Sequence, residues 1–79
     1  MGFATTEAEW QARAAVFLKA KMKEAKVTYV ELVARLEKHG FKETEASITM
    51  KLKRGAFAAT FFLACLAALE MEGVRLEEI

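Results

Sequence analysis

The sequence predicts an all-α protein, a bundle of four to five helices, and three observations carry that prediction. Proline is absent and glycine occurs only four times in 79 residues, while Ala, Leu, Glu and Lys, all strong helix formers, dominate. Apolar residues recur at spacings of three and four rather than two. The Thr-x-x-Glu pattern that opens helices occurs at Thr6/Glu9 and again at Thr28/Glu31.

The first helix is expected to start at Thr6 and run to about Lys26. Trp10, Ala14, Phe17, Leu18, Met22 and Ala25 would form its inner face, with Gln11, Lys19, Lys23 and Lys26 largely opposite. The second starts at Thr28, where Val27 and Leu32 can close a hydrophobic staple around the cap. Its stripe is Tyr29, Leu32, Val33 and Leu36, Glu31 and Arg35 have the spacing of an i,i+4 ion pair, and Gly40 ends it. After the turn at residues 39–42, Thr44 caps a third helix that runs through Ile48 and Leu52 to Gly55. Ser47, Lys51 and Arg54 are expected on one exposed face, with Thr49, Met50 and Lys53 on its flanks.

The fourth helix, about Ala58 to Met71, is apolar nearly all round. Phe61, Phe62, Cys65, Leu66 and Leu69 make one face, and Ala59, Leu63 and Ala67 make another that no single neighbour would also cover. Gly73 breaks it, leaving an extended tail at residues 74–76. With no linker, repeat or low-complexity segment, residues 1–79 are expected to form a single domain.

Composition narrows the function classes. At 54% hydrophobic residues the chain is rich for its length, which predicts apolar surface buried against a second subunit. Self-association is placed at Leu63, Ala67 and Phe57. The longest apolar run, Ala56 to Leu69, interrupted only by Thr60, is 14 residues, short of the roughly 20 that cross a bilayer. No membrane span is expected. The start lacks the basic and apolar regions of a signal peptide, and the lone Cys65 cannot form an internal disulfide, so a cytoplasmic location is expected.

One histidine, one cysteine and no aspartate leave no zinc or calcium ligand set, no phosphate loop and no nucleophilic triad. No catalytic centre, cofactor, metal or small-molecule substrate is expected. His39 reads as a favourable charge at a helix C-terminus and Cys65 as a packing residue. The net charge of +1 conceals an uneven distribution: residues 13–54 hold eleven Lys/Arg against five Glu, and the remainder holds six Glu against Arg75 alone. A central excess of basic residues suits a polyanion.

Four short helices, the third ending in KLKRG and the fourth reading FFLACLAAL, resemble the lambda-repressor-like helix-turn-helix fold over about residues 9–71. The run from VTYVELVARL through KETEASITMKLKRGAFAATFF is similar to a bacterial family of small domains of unknown function. The first resemblance implies a helix-turn-helix at about residues 28–54 whose second helix enters the major groove of double-stranded DNA. It further implies that Thr44 and Ser47 touch phosphate or bases, that Lys51 and Arg54 contact phosphate, and that Lys42 flanks them, with Lys19, Lys23 and Lys26 adding attraction. A homodimer that binds DNA and regulates transcription is the implied role. The separation of the paired helices by residues 39–44 exceeds the usual three or four, and Glu43 and Glu45 bring negative charge to the entry of the third helix. A homo-oligomerising interaction module without nucleic-acid binding is the alternative.

Overall fold

The computed structural model describes residues 2–79. Four α-helices follow in order, α1 (Glu7–Ala25), α2 (Tyr29–Glu37), α3 (Glu45–Arg54) and α4 (Ala59–Ala68), and a single 3-10 turn (Leu76–Glu78) closes the chain. No strand occurs among the described residues. α3 packs on both α1 and α2, and α2 packs on α4.

Three helices start where threonine oxygens satisfy the free N–H groups of the first turn. Thr6 Oγ1 accepts from Glu9 N–H at 3.1 Å. Thr28 accepts from Glu31 N–H at 3.2 Å while Glu31 accepts from Thr28 N–H at 3.4 Å, completing the reciprocal box. Thr44 accepts from Ser47 N–H at 3.0 Å. The box at α1 differs from expectation, because the Glu9 carboxylate reaches past the cap to the N–H of Thr5. Val27 and Leu32, the predicted staple, are both buried in the core.

Helix ends share one device. At α1, α2 and α4 a residue one to three positions beyond the helix turns left-handed (Lys26 φ 57°, Gly40 φ 86°, Glu70 φ 60°). The next N–H then bonds back five residues along the chain: Val27 to Met22, Phe41 to Leu36 and Met71 to Leu66. Gly55, at φ 71°, ends α3. A β-carbon on Gly55 would stand 2.6 Å from the Gln11 carbonyl oxygen, so glycine is what lets the end of α3 lie against the backbone of α1.

The core gathers around Leu18, Leu32, Leu36, Ile48, Phe61 and Cys65, with Phe17, Met22 and Leu52 beside them. Four expectations are corrected by this packing. The inner face of α1 is Ala15, Phe17, Leu18 and Met22, whereas Trp10 and Ala25 are exposed, because α3 lies over the Ala15 side. Arg35 does not pair with Glu31; its guanidinium donates to the Ala68 carbonyl at 2.9 Å and brings a cation to the negative end of α4. α4 stops at Ala68, shorter than expected. The tail is not an extended strand, since Val74 and Ile79 pack on the core and a 3-10 turn follows Arg75. Among the described residues no helix is long and apolar enough to cross a membrane.

Candidate functional site

The α2–turn–α3 segment begins where the Gly40 turn closes α2, and it re-enters helix at the Thr44 cap. Just before that cap the Glu43 side chain is only 7% exposed. Its carboxylate accepts from Ser47 Oγ–H at 2.6 Å and from Lys51 Nζ. Ser47 Oγ in turn accepts from Thr44 N–H at 2.9 Å, completing the second half of the cap. Lys51 Nζ also lies over the Phe61 ring, 4.5 Å from its centre. Burial raises the Glu43 pKa, but the hydrogen bonds from Lys51 and Ser47 and the lysine charge outweigh it and hold the carboxyl below its usual 4.5.

This cluster changes the outward face of α3. Ser47 and Lys51, expected to be exposed with Arg54, are half-buried and turned toward Glu43, while Lys42, Thr44 and Arg54 are exposed. Ile48 and Leu52 point into the core, and the opposite side presents Ala46, Thr49, Met50, Lys53 and Arg54, with Met50 54% exposed. Residues 43, 47 and 51 are four apart, so the spacing that puts them on one helical row was readable in the sequence. That the packed helices shield the Glu43 side chain from solvent was not.

Other basic side chains are also committed within the fold. Arg13 donates to the Gly2 carbonyl at 3.0 Å, and Lys21 pairs with Glu24 and Glu78. Arg35 holds the end of α4, and Arg75 pairs with Glu77. The exposed cations without an ion pair among the described residues are Lys19, Lys23, Lys26, Lys38, Lys42, Lys53 and Arg54. At 100° per residue, Lys19 and Lys23 fall within about 40° of one another on α1, and Lys26 follows at its C-cap. They lie on the flank away from Arg13 and Lys21, where the tail packs. Lys38 and Lys42 bracket the turn, and Lys53 and Arg54 end α3.

The three residues placed at a self-association surface separate. Leu63 is 61% exposed and Ala67 is exposed. Phe57 is half-buried, its ring 5.4 Å from that of Phe61 and stacked on Phe62 at 6.2 Å, so it serves the chain's own core. Cys65 is buried among these rings; loss of solvent, with the Glu43 charge adding to it, pushes its thiol up to about 12. It is an unreactive packing group. Among the described residues no three His, Cys, Asp or Glu side chains meet as metal donors.

No curated protein and no solved structure matches the sequence. A family model does, over residues 10–74 and thus from the first turns of α1 to the tail. The chain belongs to that family, described as a domain of unknown function, DUF6471.

Proposed function

We propose that the chain is a DNA-binding module of the lambda-repressor-like helix-turn-helix type, with α3 laid in the major groove. The observation that carries this reading is the sorting of cations. Ion pairs and carbonyl contacts retain Arg13, Lys21, Arg35 and Lys51, while Lys38, Lys42, Lys53 and Arg54 surround α3 uncommitted. A ten-residue helix is about 15 Å long, a fair match to a groove about 12 Å wide. Lys42, Lys53 and Arg54 then face phosphates. Thr44 faces the backbone at the helix start, where α3's positive end favours an anion. Ala46, the Thr49 methyl and Met50 are suited to thymine methyl groups, and Glu45 can accept from cytosine N4. Ser47 and Lys51 act as positioning residues that fix the start of α3 through Glu43.

The test is a fluorescence-anisotropy titration of labelled duplex DNA between 50 and 200 mM salt. Three cation–phosphate contacts predict an affinity loss of about fortyfold over that range. The Lys53→Ala/Arg54→Ala double variant should reduce the log–log salt slope by about 1.8, and Lys51→Met should leave it unchanged. Absence of binding at 50 mM salt overturns the reading in favour of an interaction module. A slope reduced as much by Lys51→Met as by the double variant overturns the division of roles.

A further inference from the structure

We infer that two copies of the chain pair antiparallel through α4, on a two-fold axis passing beside Leu63. The exposed residues of α4 are Ala59, Thr60, Leu63 and Ala67, of which Ala59, Leu63 and Ala67 form a stripe four residues apart with Thr60 on its edge. Leu63 lies at the middle of the Ala59–Ala68 helix, so the stripe reads small, large, small from either direction. A two-fold axis at Leu63 sets it against its own mate and sets Ala59 against the partner's Ala67. The alanines let two backbones approach closely on either side of the paired leucines.

Charge selects the occupant. α4 carries no charged residue, so burying its stripe desolvates no ion. Its two ends are unequal. Its C-terminus receives Arg35 from α2, whereas its N-terminus has no side-chain cap and no acidic residue in the first turn. Glu70 and Glu72, exposed and without an ion pair among the described residues, follow the C-terminus directly. In the antiparallel pair the C-terminal end of one α4, with Glu70 two residues beyond it, comes beside the N-terminal end of the partner's α4. That N-terminus is uncapped, and a carboxylate there is favoured by the helix dipole. Each copy thus supplies what the other's α4 lacks, twice per dimer. The comparable stripe on α1, with Val16 65% exposed between Ala12 and Ala20, lacks this complement: α1 is already capped by Thr6, and Lys19, Lys23 and Glu24 border the stripe.

The test needs no DNA, so its failure leaves the nucleic-acid reading to its own titration. Sedimentation equilibrium of the full chain should show a reversible dimer. Leu63→Glu, at an exposed site, should raise the dissociation constant at least about a hundredfold, since two leucines lose their burial. Glu70→Lys/Glu72→Lys should raise it about tenfold. Under mild oxidation Leu63→Cys should cross-link to itself, because residues on the axis come within disulfide reach. Val16→Cys should not, and the parent chain, with Cys65 buried, serves as blank. A parent chain monomeric at several hundred micromolar, a dimer indifferent to Leu63→Glu, or cross-linking at Val16→Cys in place of Leu63→Cys overturns the inference.

Discussion

Replacing Glu43 by Gln should lower stability markedly without touching the outward face of α3. Glutamine keeps the shape and can still accept one hydrogen bond, but it removes the charge from a side chain 7% exposed that receives both Ser47 Oγ–H and Lys51 Nζ. A hydrogen bond to a charged group contributes about 1.5–3 kcal/mol. Lys51 is 33% exposed and regains part of its hydration when its partner is lost, which brings the expected cost to about 1–2.5 kcal/mol. For a domain of this size each kcal/mol corresponds to about 4–8 °C in melting temperature, so the variant should melt about 4–20 °C lower at neutral pH. The sign of the pH dependence follows from the lowered pKa of Glu43. Its stabilisation is complete above the unfolded value of about 4.5 and is lost as pH falls through the lower folded value. The gap between parent and variant should therefore close below that window. Glu9, lowered chiefly by the Thr5 N–H and then by the Thr5 and Thr6 hydroxyls, leaves both proteins with a shared acid sensitivity. Circular-dichroism melts at pH 7 and pH 3 measure both effects. A variant melting within about 2 °C of the parent at pH 7, or a gap that persists undiminished at pH 3, would refute the assignment of Glu43 as the anchor of α3.

Two further outcomes follow from the packing. Gly55→Ala meets a left-handed backbone and a carbonyl 2.6 Å from the new β-carbon, so it should cost about 1–3 kcal/mol and lower the urea midpoint; an unchanged midpoint would show that α1 and α3 separate freely at this point. The Cys65 thiol, pushed up to about 12, should resist a disulfide reagent at pH 8 in the native protein and react on addition of denaturant. Rapid modification of the native chain would show that the core opens around Phe61.

The helix boundaries were legible because their causes are local. A threonine oxygen three residues before a backbone N–H, as at Thr6, Thr28 and Thr44, satisfies its partner inside one turn whatever the rest of the chain does. Gly40 and Gly55 end helices for the same reason, each adopting a left-handed backbone at its own position. The end of α4 was less legible, since Glu70 takes that conformation without being glycine.

Which face of each helix looks outward depended on partners far along the chain. Arg35 had a well-placed Glu31 one turn away, yet it reaches a carbonyl 33 residues distant, because packing α2 on α4 presents that acceptor at a helix end lacking its own cation. Lys51 likewise turns from solvent once Phe61 and the shielded Glu43 carboxylate lie beside it, and this moves the exposed face of α3 toward Met50, Lys53 and Arg54. Leu63 was readable as outward by its place opposite Phe61 and Cys65 on a ten-residue helix. Periodicity and capping thus sufficed for the all-α class and for where three of the four helices begin, both being settled within a turn of backbone. The cations left uncommitted were decided by the tertiary structure alone, because burial and the nearest acceptor of each long side chain exist only after the helices have packed.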